Sequence, residues 1–261
     1  MRRKALIALT AALVPSIPIV VAVVLISGHG GAAGHGGATG TTVSSSPFRP
    51  VTARAGPAPK RPIQPGAPVA LIVHSTTMRA TPGGRPIAQI SLRTEFGSPE
   101  AMWVRRRAGS WLGVVSQLAG NNKLGWIPAA SATLQRVTWE LDVSLAKRTL
   151  TVENAGRVLE RYTVAIGASW APTPTGRFAV TDRLLTGDPQ GPYGCCILAL
   201  SAHSPHAIPG WTGGDRIAIH TTPDTASIGQ PDSHGCVRVT MAEGRWLLAH
   251  IPLGTPALIT S

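Results

Sequence analysis

Arg216-Ile217-Ala218-Ile219-His220-Thr221-Thr222 and, after a run of turn residues, Ser233-His234-Gly235-Cys236-Val237-Arg238 form the stretch that decides the reading. Arg216 to His220 is a short apolar run of strand length. Thr222 to Pro231 is rich in turn residues, so a hairpin-like return brings His220 beside Cys236. Gly235 lets the backbone turn sharply just before the thiol. Consecutive N–H groups in such a turn point at one spot and bind an oxyanion. An imidazole next to a thiol favours the thiolate and its attack on a carbonyl carbon. That His needs an acceptor on its other ring nitrogen, and a backbone carbonyl serves.

Two more cysteines, Cys195 and Cys196, lie in the apolar context Gly191-Pro192-Tyr193-Gly194-Cys195-Cys196-Ile197-Leu198. An odd count in an exported chain leaves at least one thiol unpaired. Neighbouring residues are too close for a relaxed bridge, so Cys195 and Cys196 read as small buried hydrophobes.

Outward from this stretch, residues 137–261 read as strands. Trp139, Leu141, Val143 and Leu145 alternate with Glu140, Asp142 and Ser144, a half-buried strand. Leu150 and Val152 begin a second strand, and Asn154-Ala155-Gly156 is a turn. Val158 to Ile166 gives a third strand. Others are expected at Phe178–Thr181, Cys196–Ser201, Arg216–His220 and Pro256–Ile259. One helix is expected: Thr240 and Glu243 form a capping box, Trp246, Leu247 and His250 continue the turns, and Pro252 stops it.

Residues 67–136 read as a separate small unit. Apolar stretches at Val69–Val73, Ala101–Val104, Trp111–Val115 and Gly125–Ile127 are divided by turn signals, among them Pro82-Gly83-Gly84 and Gly120-Asn121-Asn122. Short strands at this spacing suggest a small barrel. Trp103, Trp111 and Trp126 read as core residues. Arg105, Arg106 and Arg107 read as a solvated edge that discourages edge pairing.

The N-terminal part has another character. Residues 5–26 carry no charge behind Arg2, Arg3 and Lys4. That length spans a bilayer with the N-terminus in the cytoplasm, so 1–27 reads as a membrane anchor, with a cleaved signal peptide as the alternative. Either exports the rest. Residues 28–66 are rich in Gly, Ala, Ser, Thr and Pro, a disordered linker. The net charge is +12; residues 1–94 carry ten Lys/Arg and no Asp/Glu, so the basic excess belongs to the N-terminal part, and much of it sits in the tail and linker. A solvated tether beside an anionic wall or membrane surface explains this better than nucleic-acid binding, which needs a basic folded face with interleaved aromatics. Charged residues are only 14% and Gly and Pro together number 52, which excludes a coiled coil and favours short strands joined by turns.

Several ordered motifs resemble one family. Ile219-His220-Thr221-Thr222, Ser227-Ile228-Gly229 and Ser233-His234-Gly235-Cys236-Val237-Arg238 look like the active-site signature of the YkuD-type L,D-transpeptidases. Thr173-Pro174-Thr175-Gly176-Arg177-Phe178 resembles the family's Thr-Pro-x-Gly-x-Phe stretch, and Leu141–Leu145 with Leu150–Val152 its first hairpin. The match covers essentially all of 137–261. Residues 67–136 resemble a bacterial SH3-like domain, through Trp103-Val104-Arg105, Gly109–Val114 and Gly125-Trp126-Ile127-Pro128. The resemblance implies a mostly β chain: an SH3-like barrel, then a YkuD-like β-sandwich with one short helix. It implies an enzyme that cleaves a tetrapeptide stem of peptidoglycan, is acylated on cysteine, releases D-Ala and forms a 3→3 cross-link, without metal or cofactor. Carried over, Cys236 is the nucleophile and His220 the general base. The Thr221 carbonyl orients His220. Backbone N–H groups around His234, Gly235 and Cys236 form the oxyanion hole, and Ser233 shapes the turn. Arg238 positions the donor stem. Outside the resemblance, Tyr193 reads as lining the donor pocket or as core or lid packing. Thr221 departs from the glycine common in the family, and its side chain is expected to narrow the site or change acceptor choice.

Three other functions fit part of the sequence. Water attacking the same acyl-enzyme makes an L,D-carboxypeptidase or cross-link hydrolase. His220, His234 and Cys236 are residue types that bind zinc, but no Cys-x-x-Cys pair accompanies them. Non-catalytic wall binding through residues 67–136 is the third. His203 and His206 fall in a loop over the cleft and receive no chemistry.

Overall fold

The computed structural model describes residues 66–206 and 214–261. The anchor and nearly all of the linker expected from the sequence lie outside the described residues. The described residues fall in one structural unit.

The first part is a seven-stranded antiparallel sheet: β1 (Ala67–Ile72), β2 (Thr76–Arg79), β3 (Pro86–Ile90), β4 (Ala101–Ala108), β5 (Trp111–Val115), β6 (Gly125–Pro128) and β7 (Ala132–Val137). The strand order is β3-β2-β6-β5-β4-β1-β7. Alternation along β4, β5 and β6 sends Met102, Val104, Leu112, Val114 and Ile127 inward, where they pack with Ala70, Ile72, Met78 and Ile90. The same alternation puts Trp103, Trp111 and Trp126 on the opposite face, half-buried. These tryptophans are therefore not the core the sequence suggested. Arg105 stacks over the Trp103 ring at 4.6 Å, and Trp126 lies across Gly113, whose missing Cβ would come within 3.1 Å of the indole. Of the three exposed arginines, Arg105 thus also covers aromatic surface.

The second part adds β8 (Trp139–Ser144), β9 (Thr149–Asn154), β10 (Arg157–Thr163), β11 (Ile166–Gly167), β12 (Gly176–Leu185), β13 (Cys196–His203), β14 (Arg216–Thr221), β15 (Pro231–Ser233), β16 (Val237–Val239), α1 (Met241–His250) and β17 (Pro256–Thr260). Eight of these strands form a sheet in the order β10-β9-β8-β17-β12-β13-β14-β16, and β11 pairs with β15. β12 belongs to both halves. Gly176–Ala179 pairs with β17, then after a register shift Val180–Leu185 pairs with β13. A strand that changes partners along its length folds one sheet over another, which makes the sandwich. Its core includes Leu141, Val143, Leu150, Val152, Phe178, Val180, Leu198, Ile219, Val237 and Ile259.

The turn at Ala155-Gly156 has positive φ at both residues, 52° and 76°, the handedness a tight hairpin needs. The capping box holds: the Glu243 N–H donates to Thr240 Oγ1 at 3.4 Å and the Thr240 N–H to Glu243 Oε2 at 2.8 Å. α1 packs against β13 and β14. It comes close because Gly244 has no Cβ; one would lie 2.0 Å from Thr221 Cγ2.

One expectation fails in the region that matters most. β14 and β16 are parallel, not the arms of a hairpin. Parallel strands need a crossover, and Thr222 to Cys236 supplies it through a 3₁₀ turn at Thr225–Ser227 and the short β15.

The sheets also touch each other. Val69, Ala101 and Val137 pack with Leu71, Trp139 and Leu253. Thr94 Oγ1 donates to the buried Asp182, and Arg216 pairs with Glu95.

Candidate active site

The parallel register sets the site. Ile219 faces Val237 and His220 faces Arg238 across the β14–β16 ladder. Cys236 stands one residue before β16, so alternation puts it on the same face as Arg238 and His220. His220, Cys236 and Arg238 open onto one cleft of about 510 Å³. Tyr193, Ile217, Ser233 and His234 also line it. Ser204, His206, Gly214, Asp215 and Arg216 form a further wall.

His220 is buried. Its Nδ1 lies 2.8 Å from the Thr221 carbonyl, which only accepts, so Nδ1 carries the proton. Nε2 is then the basic nitrogen. Burial lowers the His220 pKa to about 4 and Arg238 lowers it further, against the opposing pull of the Thr221 and Tyr193 backbone carbonyls. The ring is neutral at physiological pH, as a base must be. The Tyr193 ring meets it edge-on, with centroids 5.0 Å apart.

Cys236 is a free thiol, half-buried. Desolvation raises its pKa; an Ala218 backbone hydrogen bond and the charge of Arg238 oppose the rise. The resting pair is thus neutral thiol and neutral imidazole. Arg238 supplies the nearby positive charge. Its Nη1 is 3.6 Å from Asp232, and its buried Nε is without a hydrogen-bond partner among the described residues. Such a donor beside a thiol suits an incoming anionic group.

The turn before Cys236 is tied by Ser233. Its hydroxyl donates to the Cys236 carbonyl at 2.5 Å and accepts the Gly235 N–H at 3.1 Å. The Gly235 N–H is therefore engaged, which removes it from the expected oxyanion donors in this state. Gly235 has φ of 111°, and a Cβ there would come 3.0 Å from Ile217 Cδ1, so glycine is required.

Thr221 follows His220 in an extended strand, so its side chain points away from the cleft. Its hydroxyl donates to the Tyr193 carbonyl at 3.1 Å and accepts the Cys196 N–H at 3.2 Å. It therefore braces the back of the site instead of narrowing the front. Behind it, Cys195 and Cys196 are joined in a disulfide. This corrects the reading of two independent buried thiols. Cys195 and Cys196 are both buried, and the left-handed Gly194 before them lets the chain turn there. Thr221 Oγ1 is 3.7 Å from Cys195 Sγ.

His234 is exposed, and the sequence did not reveal its partner. Trp170 meets the His234 ring edge-on at 4.8 Å and is itself 58% exposed. Its turn is fixed by the Ala168 N–H donating to the Ser233 carbonyl at 2.8 Å. No spacing in the sequence links Trp170 to His234; only the β11–β15 pairing does. His206 reaches the cleft wall, whereas His203 sits at the end of β13. Among the described residues no three His, Cys, Asp or Glu side chains group closely enough to hold a metal ion.

A family model for the YkuD L,D-transpeptidase catalytic domain matches residues 138–259. The chain is 32% identical over 123 residues to the YkuD protein of Bacillus subtilis, covering 47% of this chain and 66% of that protein. It is 31% identical over 124 residues to YkuD of Bacillus licheniformis, covering 48% and 67%. The matched region thus spans just under two thirds of the B. subtilis relative's length. An L,D-transpeptidase structure from Mycobacterium smegmatis aligns over 61% of this chain and 99% of its own, at 17% identity and a TM-score of 0.38. The B. licheniformis relative is 31% identical and matched over 67% of its length, and by that match the chain belongs to the YkuD L,D-transpeptidase family, with His220 and Cys236 inside the matched residues.

Proposed function

We propose that this protein is a peptidoglycan L,D-transpeptidase that forms 3→3 cross-links through a thioester on Cys236. One observation carries the reading. A free thiol and a buried neutral imidazole, oriented by a backbone carbonyl, open onto one cleft with an arginine whose Nε has no partner among the described residues.

The chemistry follows from these groups. His220 Nε2 takes the Cys236 proton as sulfur attacks the carbonyl of the third stem residue. The tetrahedral oxyanion is met by free N–H groups of the nucleophile turn, with Cys236 N–H replacing the engaged Gly235 N–H. The imidazolium gives its proton to the leaving D-Ala amine, and the C–N bond breaks to leave the thioester. An amine on the third residue of a second stem then attacks. His220 accepts that amine's proton, the C–S bond breaks, and the thiol is restored with the proton from His220. Arg238 holds a carboxylate of the donor. The apolar lining, including Ile217 and Tyr193, limits water, which favours the amine over hydrolysis.

Export of the folded residues on a basic stalk near the anionic wall completes the proposal. The test is product analysis after incubating the full chain with a disaccharide-tetrapeptide. Free D-Ala with a cross-linked dimer supports the reading. Tripeptide without dimer makes the protein a hydrolase, and unchanged substrate refutes the proposal.

A further inference from the structure

Two successive amide side chains of the first sheet grip the backbone of the second. Asn121 and Asn122 occupy the turn between β5 and β6, and Asn122 is left-handed, with φ of 59°. Asn121 Nδ2 donates to the His203 carbonyl at 2.7 Å, and its Oδ1 accepts the His203 N–H at 2.9 Å. One side-chain amide thus satisfies both main-chain groups of one residue, as a neighbouring strand would. Asn122 does similar work elsewhere: Nδ2 donates to the Thr175 carbonyl at 3.0 Å, and Oδ1 accepts the Arg177 N–H at 3.2 Å.

Asn121 grips the end of β13, where the ladder to β14 is irregular. His203 ends β13, opposite Arg216 of β14, and the register between the two strands shifts between Ala199 and His203. Beyond His203 the chain leaves the sheet to build a cleft wall. Ser204 and His206 lie on the way out, Asp215 and Arg216 on the return. More bonds converge here. His203 Nε2 is 2.8 Å from the Gln117 carbonyl of the first part, and Nδ1 is 2.8 Å from Asp215. The Ser204 N–H donates to the Asp215 carbonyl at 2.7 Å. The base of the wall is therefore held from outside the sandwich, by residues 117 and 121.

We propose that Asn121 is a positioning residue for substrate binding: it fixes the end of β13 and so sets the cleft wall that receives the stem peptide. This rests on the peptidoglycan reading above. It gives the first sheet a part in substrate recognition at the active site itself. The nucleophile and base lie on β14, the β16 turn and the crossover, none of which Asn121 touches, so binding should suffer and intrinsic thiol reactivity should not.

The experiment compares the full-length wild type, Asn121→Ala and Asn122→Gly. Asn122→Gly removes the neighbouring grip while keeping the left-handed backbone, and reports on docking of the two sheets alone. Each is measured for kcat and KM on disaccharide-tetrapeptide and for alkylation of Cys236 by iodoacetamide. In Asn121→Ala, KM should rise about tenfold, with kcat and the alkylation rate within about twofold of wild type. Asn122→Gly should keep KM within about twofold. A wild-type KM in Asn121→Ala overturns the inference. So does an equal rise in both variants, which makes docking as a whole responsible. A fall in kcat with KM unchanged, the signature of a smaller folded fraction, overturns it as well. Failure of the wild type to turn over the stem refutes the functional reading itself and is seen in its own lane.

Discussion

The imidazole of His220 gives its Nδ1 proton to the carbonyl of the very next residue, Thr221, across 2.8 Å. The orienting group is backbone, so no side-chain substitution removes it. It is also neutral, so nothing but the charge of Arg238 and burial sets the acidity of the ring beyond the carbonyls that face it. A carboxylate in that place would raise the pKa. Here burial wins and lowers it.

This predicts the acid limb of activity. The folded-state pKa of about 4 lies below the ordinary histidine value, so the base stays unprotonated through the mildly acidic range. The acylation rate should hold between about pH 5.5 and 7 and fall only as pH approaches about 4. Rates of Cys236 acylation by a stem substrate across this range are the check. An inflection near the ordinary value of about 6.5 would mean that burial does not govern His220.

Alkylation reads the other partner. Desolvation raises the Cys236 pKa, so the rate of reaction with iodoacetamide should keep climbing past the pH at which an ordinary cysteine levels off. His220→Gln should lower stem acylation on the order of a hundredfold or more, by loss of the base. The same variant should leave alkylation at alkaline pH nearly unchanged. Equal losses in both assays would point to a collapsed site.

Behind the site, the Cys195–Cys196 bridge makes a count of thiols decisive. The unfolded, unreduced protein should take one alkyl group, on Cys236, and three after reduction. Three labels without reduction would restore the reading of separate thiols. Since Cys196 N–H and Thr221 Oγ1 share a hydrogen bond, Thr221→Val should lower kcat severalfold with KM little changed, and Thr221→Ser should recover it.

Stability should depend on pH through Glu100, a buried carboxyl between the sheets. Burial raises its pKa from 4.5 to about 7, outweighing the hydrogen bond from Gln117. The folded state holds this proton more tightly than the unfolded chain. The stability it carries is full below about 4.5 and lost as pH rises through about 7, on the order of 3 kcal/mol at most. Glu100→Gln should flatten thermal stability across that window. A wild type that grows steadily more stable from pH 5 to 8, with Glu100→Gln unchanged from it, would contradict this.

Trp170 offers a test of the exposed side of the nucleophile turn. An edge-on aromatic pair contributes about 0.5–1.5 kcal/mol, and the indole is mostly in water. Trp170→Ala should therefore shift thermal stability little while raising KM a fewfold, as His234 loses its stop. Large destabilisation would make Trp170 a packing residue.

Much of this was legible in the sequence, for local reasons. Period-two alternation marks β8 and β9, and Thr240 with Glu243 marks the start of α1, because both signals act within a few residues. The juxtaposition of His220 and Cys236 was legible from the motif, but the expected hairpin was not what joins them. Strand direction depends on where a crossover lands, and residues 222–236 contain turn residues under either topology. The three tryptophans of the first sheet misled because size suggests core, whereas the alternation of Met102, Val104 and Leu112 decides which face is inside. The grip of Asn121 on His203, 82 positions away, has no local signal, since Gly120-Asn121-Asn122 is an ordinary turn sequence.

The most direct test of the central claim is the intact mass of the full chain during reaction with disaccharide-tetrapeptide, with Cys236→Ser in parallel. The account predicts a transient adduct equal to the donor less D-Ala, on the wild type only and mapped to Cys236. An adduct on Cys236→Ser, or turnover by the wild type with no acylated form under any trapping condition, would contradict it.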